Sequence, residues 1–133
     1  QAGIKWIEVA GRGGTNWASI EYARNQSDFE QQVASPFLNW GMDTAKLLPA
    51  ISVNCPSLNL IGSGGVRDGL DIARCIRSGA CVTALAQPFL APALESTEAV
   101  INKIAVLKEQ LRWAMFLTGS KDLEALKKAK LEE

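Results

Sequence analysis

Apolar residues recur along this chain in two rhythms, a short strand-like one and a longer helical one. Ile4-Lys5-Trp6-Ile7-Glu8-Val9-Ala10 is rich in β-branched residues and stops at Gly11-Arg12-Gly13-Gly14-Thr15. A strand followed by a loop is predicted there. Leu58-Asn59-Leu60-Ile61 predicts a second strand, punctuated by Gly62-Ser63-Gly64-Gly65. Asp68 then stands where an N-cap belongs, Leu70, Ile72, Ala73 and Ile76 make an apolar helical face, and Ser78-Gly79 stops it. Residues 80–86 predict a third strand, apolar on both faces as in a parallel strand covered on both sides, with Pro88 ending it. Val100, Ile101, Ile104, Leu107, Leu111, Ala114 and Met115 then repeat at helical spacing and predict a long helix from Thr97 to Leu117. Thr118-Gly119 breaks it. Ser120 is expected to cap a last helix carrying Leu123 and Leu126. The basic run Lys127-Lys128-Ala129-Lys130 reads as a solvated helix end favoured by the dipole.

The rest is less regular. Gln1-Ala2-Gly3 reads as the end of a preceding element. Residues 16–40 are polar, with Trp17, Tyr22, Phe29, Phe37 and Trp40 interspersed, and show no clean period. They are expected to form a long loop, functional or mobile. Asp43 or Thr44 is expected to cap a short helix through Leu48, broken or kinked at Pro49, which lacks the N–H that continuation requires.

Strand, helix, strand, helix, strand, helix is the grammar of an α/β fold with parallel strands. A closed eight-unit barrel needs about 250 residues, and this chain has 133, starting at a strand and without a methionine. The expectation is one domain, residues 1–133, with no internal boundary, forming part of a barrel.

Composition narrows the chemistry. Hydrophobic residues make up 47% and charged residues 21%, and 14 Lys and Arg balance 14 Asp and Glu. Such a balance offers no electrostatic reason to expect nucleic acid or an anionic membrane as partner. No apolar run approaches the roughly 20 residues of a spanning helix. Histidine is absent, so the chain itself supplies no His base, no Ser-His pair and no His metal ligand. Cys55, Cys75 and Cys81 lack C-x-x-C spacing and read as reduced cytosolic thiols buried as small hydrophobes.

The glycine loops carry the candidate site. Ser63-Gly64-Gly65-Val66-Arg67-Asp68-Gly69 joins a strand to a helix. Glycine lets the backbone take a positive φ and approach a ligand closely, the helix start offers free N–H groups, and Arg67 adds a charge suited to phosphate. Ala86-Gln87-Pro88 follows the next strand, and loops after two consecutive strands form the usual phosphate site of (β/α) barrels. A tight turn with a surface arginine is the plain alternative. Gly11-Arg12-Gly13-Gly14-Thr15-Asn16-Trp17 would let a flat ligand lie against its backbone, with Thr15 adding a hydroxyl; a mobile loop is the alternative.

Together these segments resemble a known family. I7-E-V-A-G-R-G-G-T-N-W17, I61-G-S-G-G-V-R-D-G-L-D-I-A-R74, A84-L-A-Q-P-F-L90 and M115-F-L-T-G-S120 are similar to the C-terminal part of type 2 isopentenyl-diphosphate isomerase, and Trp40-Gly41-Met42-Asp43-Thr44 fits the segment ahead of the sixth helix. The resemblance implies a partial (β/α)8 TIM barrel: the last three βα units, strands 6–8, with C-terminal helices. It implies interconversion of isopentenyl and dimethylallyl diphosphate, a 1,3-allylic proton shift with reduced FMN as acid/base, NADPH as reductant and Mg²⁺. Carried over by position, Thr15 would contact FMN, and Gly64, Gly65, Arg67, Ala86 and Gln87 would surround its phosphate. The family's substrate-binding His, its Gln-Glu pair near Mg²⁺ and its flavin-facing Lys all lie upstream, so no catalytic or metal-binding residue is assigned here. The expected partner is a small-molecule diphosphate, and the full-length protein is expected to be a cytoplasmic homo-oligomer. S-G-G-V-R and A-x-P-F-L are shared with FMN-dependent 2-hydroxyacid oxidases. Such an oxidoreductase, and a non-catalytic partial-barrel module, stand as the alternatives.

Overall fold

A computed structural model describes residues 3–24 and 27–130. Gln1 and Ala2, read above as the end of a preceding element, lie outside the described residues. Three parallel strands form one sheet in the order β1-β2-β3: β1 Trp6–Val9, β2 Asn59–Gly62 and β3 Val82–Thr83. Val9 pairs with Gly62, and Gly62 pairs with Thr83, so the three strands end level with one another. The loops that follow them leave from one edge of the sheet.

Between β1 and β2 lie α1 (Trp17–Arg24), α2 (Asp28–Ala34), a 3₁₀ turn at Ser35–Phe37 and α3 (Thr44–Asn54). The long loop expected over residues 16–40 is therefore corrected. Helices α1 and α2 are short and bury no residue, so there is no apolar stripe for periodicity to detect. Local chemistry starts them instead: the Asn16 side chain accepts from the Ser19 N–H at 3.1 Å, and Ser27 caps α2 by accepting from Glu30 N–H at 3.4 Å.

The helix does not break at Pro49 but continues through it to Asn54. The carbonyl that loses its partner there belongs to exposed Ala45, where water can satisfy it. Asp43 occupies the N-cap position of α3 but makes no capping bond.

From β2 the chain enters α4 (Gly69–Arg77), capped as expected by Asp68, whose carboxylate accepts from the Asp71 N–H at 2.8 Å. After β3 comes α5 (Gln87–Glu95), a helix in place of the plain stop read at Pro88. Pro in the first turn of a helix is tolerated, since its N–H would be unpaired there anyway. The long helix α6 spans Thr97–Leu117 as predicted. The last helix, α7, is Leu123–Leu126, capped by Asp122 rather than Ser120. Ser120 is buried, its hydroxyl paired with that of Thr118 at 2.9 Å.

Two clusters hold the layers together. Val9, Leu48, Leu60, Val66, Cys75 and Ala80 fill the space between the sheet and helices α3 and α4. Ala73, Ile76, Ala114 and Leu126 join α4 to α6 and α7. The opposite face of the sheet carries Trp6, Glu8, Ile61 and Val82, by alternation from the buried positions. Trp6 is 51% and Val82 47% exposed. The third strand is thus not covered on both sides among the described residues, contrary to the reading of its apolar run. The cysteine reading is corrected as well: only Cys75 is buried, and Cys55 and Cys81 are exposed. Burial pushes the Cys75 thiol above its ordinary pKa, with the Asp71 charge adding to the effect.

Candidate functional site

The strand ends bring the two glycine loops together, backbone against backbone. Gly64 and Gly65 have φ of +77° and +80°, the left-handed region that glycine alone enters cheaply. A Cβ on Gly64 would stand 2.0 Å from the Ala10 carbonyl oxygen, and one on Gly65 would stand 2.0 Å from that of Gly13. A Cβ on Gly13 would meet the Gly64 carbonyl at 2.5 Å. The missing side chains of Gly64 and Gly65 therefore make room for the neighbouring loop, a need that the sequence did not show.

The loop offers donors nonetheless. The N–H groups of Gly64, Gly65 and Val66 have no hydrogen-bond acceptor among the described residues. Beside them sits Ser63, 4% exposed, with a hydroxyl that is buried and unpartnered. A buried hydroxyl without a partner is costly, so such a group calls for an explanation. Sequence reading missed Ser63, because a serine in a glycine loop looks like turn chemistry.

The start of α4, expected to present free N–H groups, mostly does not. The Gly69 N–H donates to the Gln110 side chain at 2.9 Å, the Asp71 N–H donates to Asp68, and the Arg67 N–H donates to Asp71 at 3.2 Å. Two carboxylates in that first turn already complement its dipole. The Arg67 side chain is 75% exposed, with Nε 3.7 Å from Asp71 Oδ2. The Ala86 and Gln87 N–H groups, at the start of α5, lack acceptors among the described residues. Because Ala84 N–H donates to the Gly62 carbonyl at 2.9 Å, this segment leaves the sheet beside the Ser63 loop. Thr15 is exposed and lines a separate cleft of about 430 Å³ with Trp17, Phe37 and Trp40. No hydrogen bond or ion pair links Thr15, Arg67, Ala86 and Gln87 to one another among the described residues.

The first glycine loop is braced from the α3 side. Arg12 Nε donates to Asp43 Oδ1 at 2.7 Å, its Nη1 donates to the Asn39 carbonyl at 2.9 Å, and its N–H donates to the Met42 carbonyl at 3.1 Å. Asn16 Nδ2 reaches the Leu38 carbonyl at 2.5 Å. The hydrogen bond from Arg12, and then its charge, hold the Asp43 carboxyl below its ordinary pKa. A depressed carboxyl contributes stability above its unfolded pKa and loses it as pH falls through the folded one. Asp43→Asn is therefore expected to lower the melting temperature at neutral pH, the difference from wild type vanishing as pH drops below the depressed value. Melting curves across that range check this; a difference that persists in strong acid would mean that the carboxylate charge is not what Arg12 reads.

The chain is thus a parallel α/β fold whose glycine loops follow the ends of its first two strands. The chain belongs to the FMN-dependent dehydrogenase family, whose model matches residues 2–133. Its relatives include proteins named isopentenyl-diphosphate delta-isomerase. It is 46% identical to that of Cronobacter sakazakii over 131 residues, 98% of this chain and 38% of the relative. To that of Stutzerimonas stutzeri it is 46% identical over 130 residues, again 38% of the relative. The chain thus spans well under half the length of these relatives. Among solved structures, one described as a lactate oxidase of Pediococcus acidilactici matches with a TM-score of 0.69 and 25% identity, over 99% of this chain and 32% of that one.

Proposed function

We propose that this chain is the FMN-phosphate-holding part of a type 2 isopentenyl-diphosphate isomerase, built as the last three βα units, strands 6–8, of a (β/α)8 barrel, with residues 1–133 lying within that single domain. The observation that carries it is the buried, unpartnered Ser63 hydroxyl beside the free N–H groups of Gly64, Gly65 and Val66. A phosphate fits that donor set, since it accepts from several N–H groups and a hydroxyl at once. The 46% identity to proteins of that name supports the same assignment.

When bound, reduced FMN supplies the acid/base chemistry of the allylic proton shift, in keeping with a chain that has no histidine. Ser63, Gly64, Gly65 and Val66 bind the phosphate, joined across the strand ends by the N–H groups of Ala86 and Gln87. Arg67, exposed and beside Asp71, would add positive charge toward the phosphate. Thr15 orients the flavin from the first glycine loop. Among the described residues no group of three or more His, Cys, Asp or Glu could hold a metal. By resemblance to the family we place the substrate-binding His and the Gln-Glu pair near Mg²⁺ upstream of this segment, with NADPH as reductant. No described helix is long and apolar enough to cross a membrane, and the full-length protein is read as a cytoplasmic homo-oligomer. An oxidase reading has less support, resting on 25% identity and a shared fold.

The test is made on the protein encoded by the whole open reading frame around these residues. It should purify with FMN and interconvert isopentenyl and dimethylallyl diphosphate when the flavin is reduced. Arg67→Ala should weaken FMN binding by about 1–3 kcal/mol, the scale of a charge-assisted hydrogen bond, and leave riboflavin binding almost unchanged. Equal losses for both ligands would remove Arg67 from phosphate recognition, and oxidation of a 2-hydroxy acid in place of isomerisation would replace the reading with the oxidase one.

A further inference from the structure

Asp43 and Thr44 sit at the one place where the first glycine loop, the second glycine loop and the start of α3 meet. Thr44 is 8% exposed. Its hydroxyl donates to the Ala10 carbonyl and lies 3.5 Å from the Gly64 carbonyl. Ala10 opens the loop that carries Thr15, and Gly64 lies in the loop that carries the free N–H groups. One side chain thus touches both halves of the candidate flavin site. Its neighbour Asp43 stands at the N-cap of α3 but makes no capping bond, and its carboxylate grips Arg12 across the first loop instead. A capping carboxylate accepts from the first N–H groups of its helix; here it holds the loop instead. The close approach leaves no slack: a Cβ on Gly11 would meet the Met42 carbonyl at 2.6 Å and the Thr44 nitrogen at 2.9 Å.

We infer that Asp43-Thr44 is a clamp that fixes the Thr15 loop and the Ser63–Val66 loop relative to one another, and that Thr44 is a positioning residue for flavin binding. The inference deepens the cofactor reading and rests on it for its consequence, but the clamp itself acts whether or not flavin is present. The Thr44 hydroxyl acts through the carbonyls of Ala10 and Gly64, which set where Gly64 and the Thr15 loop stand.

The variants Thr44→Val and Thr44→Ser separate the hydroxyl from the bulk. Valine keeps the shape and strands the Ala10 carbonyl; serine keeps the donor. Two measurements are made on the protein from the whole open reading frame. The first is amide hydrogen exchange without flavin, read at Arg12 and Ser63, whose N–H groups donate to Met42 and Val9 at 3.1 Å each. Thr44→Val should speed exchange at both by about tenfold or more, and Thr44→Ser should stay within about threefold of wild type. The second is FMN titration, where Thr44→Val should bind about tenfold more weakly and serine should restore most of the loss. Unchanged exchange at both amides in the valine variant, or a serine variant as impaired as valine, would overturn the clamp. If exchange responds as expected while the wild type shows no affinity for FMN, the clamp stands and the cofactor reading falls. If exchange responds but FMN affinity stays the same across all three proteins, the clamp does not position the flavin site.

Discussion

Gly65→Val is expected to abolish measurable FMN binding and to destabilise the fold around the two glycine loops. Position 65 has a φ of +80°, and a Cβ there would stand 2.0 Å from the Gly13 carbonyl oxygen. Two costs therefore coincide. Holding a non-glycine residue in the left-handed region costs about 1–3 kcal/mol, and a β-branched residue is the worst case. The second cost is steric, and it is larger because the obstacle is backbone that cannot rotate away. Both glycine loops would have to separate, taking the Gly64 and Val66 N–H groups with them. Gly119→Ala is the control: its φ is +65° with nothing within 4 Å of the added Cβ. That variant should suffer only the backbone strain and keep its flavin. Flavin fluorescence titration and thermal unfolding of the whole protein read both effects. A Gly65→Val protein with unchanged melting and FMN affinity would refute the packing of one loop on the other.

The second large effect concerns residues 1–133 expressed alone. They are expected to self-associate or precipitate, and to show no isomerisation with FMN, NADPH and Mg²⁺. Both β1 and β3 are edge strands, and their unpaired backbone groups are templates for another chain. The open face of the sheet adds Trp6 and Val82, and α6 exposes Trp113, Phe116 and Leu117. Apolar surface of that extent on a small protein drives association unless something covers it. In the proposed reading the cover is the rest of the barrel, which also supplies the substrate and metal groups. Sedimentation and an isomerisation assay decide the matter. A stable monomer that turns over isopentenyl diphosphate would sink both the partial-barrel reading and the placement of the catalytic groups outside this segment.

Much of the architecture was readable because it rests on local signals. The Asp68 cap, the apolar face of α4 and the long period of α6 each declare a helix within their own residues, and the structure agrees at both ends of α6. The strands were located, but the first and third were overextended: residues 80–86 read as one strand, whereas β3 is only Val82–Thr83. Apolar composition marks a buried or facing segment, while pairing is decided by the neighbour, and β2 ends at Gly62. The helices α1 and α2 escaped notice because they bury nothing.

The candidate site divides in the same way. That the loops at 11–15 and 63–69 matter was legible from glycine spacing and from resemblance. Why the glycines are needed was not, since the obstacle at position 65 is a carbonyl 52 residues away in sequence. The same holds for the diversion of Asp43 from its helix to Arg12, the reach of Gln110 to the Gly69 N–H, and the solitary hydroxyl of Ser63. Sequence by itself determined the residue types, the order of the three strands with α4 and α6, and the family, because periodicity, capping and motif spacing are properties of neighbours along the chain. Tertiary structure alone decided which N–H groups are free, which carboxylate meets which arginine and where two backbones touch. Those depend on distances between segments that chain order does not contain.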